Sequence, residues 1–434
     1  MFSQAQASFG ARWWRILVAL PLLVGALATP QASAWTRPVH ASIKGATPTV
    51  LGADVLPSGD SLVSWRLTDR APRSIQARIV RPDRSMGPVK VIATPGATPY
   101  RPSYAMDSSG NAHYLWDVWD GSSYRARMRT LGVDGTLGPA VTVTPAGENA
   151  QAPVFGVDAG GNAVVAWGDG THIHVRSVGA DQTLGPVQDV APVGSWWQNR
   201  DPAIAVDPNG NAVIAWIESQ SIDPNWIAGD LWAIRRHSDG TLGNALYAGF
   251  NRGPWWHEQL AMDASGDAVF VWSERDEQLF ARRWPAGAGL GPEHYLGTAN
   301  FDPQRFPWGS AVDTAGTALI VWQGHGGGGM GTTTMSPTGE LTETPAPFPM
   351  GDGYDIAMDS SGNSVIGWHQ YKGMWGDRTW VISRAADGTL SARTLLSGYD
   401  HPTGPLVGLN DSGQAVAAWI GPASQPRVQV ATGP

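Results

Sequence analysis

The 434-residue chain contains no cysteine. That excludes both a disulfide framework and a lipid-modified cysteine anchor. Charge is scarce as well: 15% of residues are charged, with 29 basic against 37 acidic and a formal net charge of −8. Basic residues gather only in short pairs such as Arg235-Arg236 and Arg282-Arg283. Nucleic acid and anionic membrane surfaces are therefore not expected partners, since both demand a concentrated basic face to displace counterions. A long hydrophobic run is also missing. The longest, Ile16 to Ala28, is thirteen residues, too few to span a bilayer comfortably, so no membrane insertion is expected.

That run has a different reading. Arg12 and Arg15 precede it and Ala32-Ser33-Ala34 follows, the charged region, short apolar core and small-residue cleavage site of a secretory signal peptide. Residues 1–34 are accordingly set apart as a signal peptide, and 35–434 as a single exported domain, extracellular or periplasmic. Without Arg12 and Arg15 the balance becomes 27 basic against 37 acidic, or −10. Burial alone must hold the domain together, and about 400 residues suffice for it.

What the chain has in abundance is glycine (54), proline (33) and tryptophan (22), the composition of a turn-rich, strand-rich fold. Eight of the tryptophans are periodic: Trp65, Trp116, Trp167, Trp216, Trp272, Trp322, Trp368 and Trp419, at intervals of 51, 51, 49, 56, 50, 46 and 51 residues. Six residues before each stands a glycine (Gly59, Gly110, Gly161, Gly210, Gly266, Gly316, Gly362, Gly413). Three before that stands Asp107, Asp158, Asp207, Asp263, Asp313 or Asp359, with Leu56 and Asn410 in the terminal copies. A repeat near 50 residues, strand-like throughout, is the signature of propeller blades.

The third copy shows the unit best. Pro153 to Val157 leads through the turn Asp158-Ala159-Gly160-Gly161 into the apolar strand Asn162 to Trp167. A third strand runs from His172 to Val178, and Asp181 to Pro186 turns back into Val187 to Val190. In such a turn the Asp carboxylate accepts backbone N–H bonds while glycine takes a positive φ. A strand apolar on both faces is one sandwiched between neighbours. The Asp-x-x-Gly-Asn turn, as in Asp207-Pro208-Asn209-Gly210-Asn211, resembles the blade turns of NHL-type propellers, and the chain is similar in this to secreted bacterial propeller repeat proteins. It is similar also to the Asp-box of sialidase-like propellers, in which, however, the aromatic follows the glycine much sooner. The resemblance implies a propeller fold and carries over no catalytic residue.

The expectation is an all-β, eight-bladed propeller of four-stranded antiparallel blades, with seven blades as the alternative. After Trp419 the last copy supplies one strand, Arg427 to Thr432. Val39, Ala41 and Ile43 alternate with polar neighbours near the start of the domain, so an N-terminal strand is expected to close the ring and leave no free edge. The periodic tryptophans read as inter-blade packing. The periodic aspartates read as turn caps, since one carboxylate per turn does not make a calcium loop. The third-strand arginines Arg78, Arg127, Arg176, Arg235, Arg282 and Arg384 read as partners of blade carboxylates or carbonyls.

Function is expected on the opposite rim, where connections differ from blade to blade. Several are aromatic and polar together: Trp196, Trp197, Arg200 and Asp201; Trp255, Trp256, His257 and Glu258; Arg305 and Trp308; Tyr354; and Trp119. A flat ring for the apolar face of a sugar, beside polar groups for its hydroxyls, is what carbohydrate recognition requires. A lectin-like, monomeric module with a glycan or cell-surface ligand is the favoured reading. A glycan hydrolase is the first alternative, using carboxylates at strand tops among Asp117, Asp169, Asp201, Glu218, Glu258 and Glu274. A protein-interaction scaffold is the second. No nucleophile elbow, phosphate loop or metal-spaced histidine pair was recognised. Neither a metal nor a cofactor is expected, and the reading leans away from an enzyme.

Overall fold

Strand, tight turn, strand is repeated around the whole chain, and eight four-stranded antiparallel sheets result. The computed structural model describes residues 35–433 except 44–47, 68–72, 94–99, 192–197, 220–227, 253–258, 275–277, 299–307, 324–329, 346–350, 371–376, 398–401, 422–423 and 425. The signal segment expected over 1–34 lies outside them. Seven sheets use four consecutive strands, as in blade 3: Gln151–Val157, Ala163–Gly168, Ile173–Val178 and Gln188–Ala191. The eighth joins the two ends of the chain. Leu406–Leu409, Ala415–Gly421 and Arg427–Gly433 are completed by Val39–His40, with Val39 opposite Val430. Backbone bonds from Thr36 to Thr432 and from Ala41 to Val428 lengthen the seam. Ile43 takes no part and is 67% exposed.

The second strand of each blade is buried on both faces, and its two faces serve different neighbours. In blade 4, Ala212, Ile214 and Trp216 pack against Val164, Ala166, Ile173 and Val175 of blade 3. Val213, Ala215 and Ile217 pack against Phe270 and Trp272 of blade 5. Each periodic Trp thus faces the preceding blade, and Trp65 closes the ring by packing on Val416, Ala418, Val428 and Val430 of blade 8. Five of these tryptophans have no exposed surface (Trp65, Trp167, Trp272, Trp368, Trp419). Room for the rings comes partly from glycine: a Cβ on Gly249 would meet the Trp272 ring at 2.7 Å.

The first turn works as its residues suggest. Asp158 Oδ1 accepts from the N–H groups of Gly160 (2.9 Å) and Asn162 (2.8 Å), and Oδ2 from the Asn162 amide (2.8 Å). Gly161 holds φ +82. The Asn162 side-chain Oδ1 then accepts from Ala180 N–H in the second turn of the same blade, tying the two turns together. Asn111, Asn211 and Asn363 repeat the tie.

The third-strand arginines clamp carbonyls across blades, from more than one register. Arg78, Arg176 and Arg282 each donate through Nε to the second turn of their own blade (Gly87, Gly185, Gly291) and through an η nitrogen to the preceding blade (Val143 for Arg176, Ala248 for Arg282) or, for Arg78, to Ala41 at the closing seam. In blade 2 the clamp is Arg129, which bonds Gly138 and Ile92. Arg127, the expected member, instead lies opposite Trp116. Two positions separate them, so one face of the strand carries both and sequence proximity could not choose. Arg235 sits one register along and reaches forward to Gly266 and Trp284 of blade 5. Arg384 bonds the Ala385 carbonyl and the Thr334 hydroxyl.

Candidate functional site

Because neighbouring strands alternate in direction, both tight turns of a blade share one rim, and the second-to-third connections stand on the other. Blade 2 ends there in a hairpin between Ala112–Trp119 and Tyr124–Leu131. Asp120 Oδ1 accepts from the N–H groups of Ser122 (2.9 Å) and Ser123 (3.0 Å) and from the Ser122 hydroxyl (2.9 Å). These bonds hold its carboxyl below the usual carboxylate range. Its other oxygen takes Arg125 at 3.2 Å. On this stiff turn the Trp119 ring lies edge-on to Tyr124, centroids 5.2 Å apart, and is 51% exposed. It is a large flat apolar surface beside carboxylate, guanidinium and hydroxyl groups.

The other aromatic positions divide. Trp196, Trp197, Trp255, Trp256, His257, Glu258 and Arg305 lie outside the described residues. Arg200 and Asp201 fall within Gln198–Val206, the first strand of blade 4. Trp308 and Tyr354 differ from the expectation of exposed rim rings. Trp308 has no exposed surface and packs with Val269, Val271 and Trp322, and Tyr354, 5% exposed, packs with Leu319, Ile366 and Trp368. Both sit inside a first strand, Trp308–Val312 or Asp352–Met358, where the alternation of side chains turns them toward the neighbouring blade.

Two acids on innermost strands were not singled out as a pair by the sequence. Asp355 is pushed up to about 6 by burial, against the opposing effect of the Val407 N–H, which donates to its Oδ2 at 2.7 Å. Asp54, in the first strand of blade 1 (Pro48–Val55), is raised by burial and partly restored by the Tyr104 hydroxyl. The two repel each other electrostatically across the first strand of blade 8, which approaches so closely that a Cβ on Gly408 would stand 2.7 Å from the Asp54 Cα. The only available signal was an acid inside an apolar strand, Ala53-Asp54-Val55.

On the loop rim of blade 4, Glu218 lies directly opposite Asp230. Burial raises both, and Asp230 adds to the rise at Glu218. In blade 3, Asp169 comes together with His172 and His174. This trio is the one potential metal-ligating cluster of three among the described residues, at a place where sequence reasoning recognised none. The readable signal was His172-Ile173-His174: on a strand, alternate residues share a face.

No protein-family model matches the chain, and no curated protein does. Solved structures do. One is the BP39L lectin from Burkholderia pseudomallei, 10% identical with a TM-score of 0.55, covering 82% of this chain and 100% of the lectin. Another is the Hadza microbial sialidase Hz136, 15% identical with a TM-score of 0.36, covering 74% and 76%. A third is prolyl oligopeptidase B from Galerina marginata, 9% identical with a TM-score of 0.49, covering 86% of this chain and 55% of that one. At 10% identity the likeness to the lectin is one of fold, the β-propeller.

Proposed function

We propose that this chain is a secreted binding module that recognises carbohydrate through aromatic side chains on the loop rim. The observation that carries the reading is Trp119: half-exposed, steadied by Tyr124, and flanked by Asp120 and Arg125 on a hydrogen-bonded turn. A chain that buries its periodic rings and leaves this non-periodic one in water has a surface suited to a pyranose face, with polar groups on the same turn for its hydroxyls. The fold it shares with a lectin is consistent with that use.

The enzymatic alternative rests on a different observation, the Asp355 carboxyl raised to about 6 near Asp54 on the innermost strands. An acid protonated at mildly acidic pH beside a second carboxyl group is what glycoside hydrolysis uses. A glycan array run beside a panel of chromogenic glycosides separates the two. Binding without turnover supports the module. Turnover that Asp355→Asn abolishes at unchanged binding establishes the enzyme, and neither binding nor turnover rejects both readings.

A further inference from the structure

Each blade carries a radial row that begins at its periodic Trp, crosses the third strand and ends on the outer one. In blade 5 the row is Trp272, Phe280, Tyr295, with ring centroids 5.9 and 5.6 Å apart. In blade 4 it is Trp216, Trp232, Tyr247, and in blade 7 Trp368, Trp380, Leu395. These three rows are apolar to the edge, whereas blades 1, 2 and 8 set Gln76, Arg127 and Gln429 opposite their Trp. Blade 3 carries ionisable side chains at both steps: its row is Trp167, His174, Asp189. Its second-to-third hairpin is also short, with a turn at Asp169-Gly170-Thr171-His172 that sets a carboxylate and a second imidazole over the row.

The bonds around Asp169 aim it. Oδ1 accepts from the N–H groups of Thr171 (2.7 Å) and His172 (2.6 Å) and from the Thr171 hydroxyl (2.8 Å). Oδ2 is left facing two imidazoles, His172 Nδ1 at 3.4 Å and His174 Nε2 at 3.2 Å. On its far side, His174 Nδ1 meets Asp189 Oδ1 at 2.7 Å. When Nδ1 carries the proton for Asp189, Nε2 presents a lone pair toward a carboxylate oxygen. In that tautomer two acceptors stand 3.2 Å apart, a pair that a shared proton or a metal ion would bridge.

We propose that Asp169, His172 and His174 form a binding site for a divalent transition metal of the zinc type. Asp169 Oδ2, His172 Nδ1 and His174 Nε2 all lie within 4.8 Å of one another. In a tetrahedral site with bonds near 2.0–2.2 Å, neighbouring ligand atoms stand roughly 3.3–3.5 Å apart, and the two distances from Asp169 already match. Two nitrogens and one oxygen suit zinc-type ions and do not suit calcium or magnesium, which take oxygen shells. Asp189 orients His174 from behind, the usual carboxylate support of a ligating imidazole. The His172 side chain is 43% exposed, so the fourth position opens to solvent on the loop rim and is available to water or to an oxygen of a bound ligand.

The test is titration of tag-free, chelator-stripped full-length protein with Zn²⁺ by calorimetry and with Co²⁺ by absorption and tryptophan quenching. Trp167 reports directly, because its ring centroid is 5.5 Å from that of His174. The expected result is one equivalent of either metal per chain, with a melting temperature that rises with Zn²⁺ concentration. Affinity should fall at least tenfold in His172→Ala and in Asp169→Asn, and about tenfold or more in Asp189→Asn. His40→Ala, on the closing strand, should bind as the wild type does. His172 is exposed enough that its variant should fold even if Asp169→Asn does not. No saturable binding by the wild type, or undiminished binding by His172→Ala, would overturn the site and leave a proton as the bridging cation.

Discussion

The two rims of this propeller are built on opposite principles. On the turn rim, copies of the same turn use each Asp carboxylate fully: Asp107, Asp158, Asp207 and Asp359 each cap two backbone N–H groups and hold one Asn amide. On the loop rim, three successive blades end differently. Blade 2 presents an exposed indole, blade 3 a histidine–aspartate cluster, and blade 4 two facing carboxyl groups. Repetition marks side chains committed to holding the ring, and departure from it marks side chains free for chemistry. The same lesson holds within a radial row, where Phe280 and Tyr295 in blade 5 correspond to His174 and Asp189 in blade 3.

That contrast can be broken in several places. The largest expected effect is at the seam: deleting residues 36–42 leaves the Arg427–Gly433 strand with a bare edge, so the variant should melt far lower and aggregate. Unchanged thermal unfolding would show that the seam does not hold the ring. Next comes Trp167→Ala, which empties an indole-sized space between blades 2 and 3 and should cost roughly 3–5 kcal/mol in denaturant unfolding. A cost below about 1 kcal/mol would remove the tryptophan from the structural side of the comparison.

A smaller effect concerns pH. Asp355 has a folded-state value of about 6, above its ordinary 3.8, so the folded protein favours the protonated acid. Its contribution is therefore fully present below about pH 4 and is lost as pH rises through 6, on the order of 3 kcal/mol. Asp355→Asn keeps an acceptor for Val407 N–H and should flatten unfolding free energy between pH 4 and 7. A variant with the wild-type pH slope would contradict the assignment. Smaller again, Asp158→Ala should cost about 1 kcal/mol, the scale of a lost turn cap.

How much of this was readable in the chain follows from the same division. The Gly-x₅-Trp spacing and its Asp carry a period, so blade number, turn geometry and the packing role of Trp65 or Trp419 could be read from residues alone. Positions without a period could not. Trp308 and Tyr354 looked like rim aromatics because they follow loops, but a shift of one or two residues into a strand turns a ring from solvent into the core. Asp54 and Asp355 stand some 300 residues apart in the chain, and only the closed ring brings their strands together. His172 and His174 were legible in principle, through the period-two spacing of a strand, but Asp189 joins them only through pairing between strands.

The central claim is that the loop rim binds and the turn rim holds. The most direct measurement is the affinity of Trp119→Ala for the best array glycan, set against its melting temperature. The account predicts affinity lower by about 1–3 kcal/mol, the scale of a lost stacked ring, with stability within about 0.5 kcal/mol of wild type. Full affinity in a variant that folds normally would contradict it.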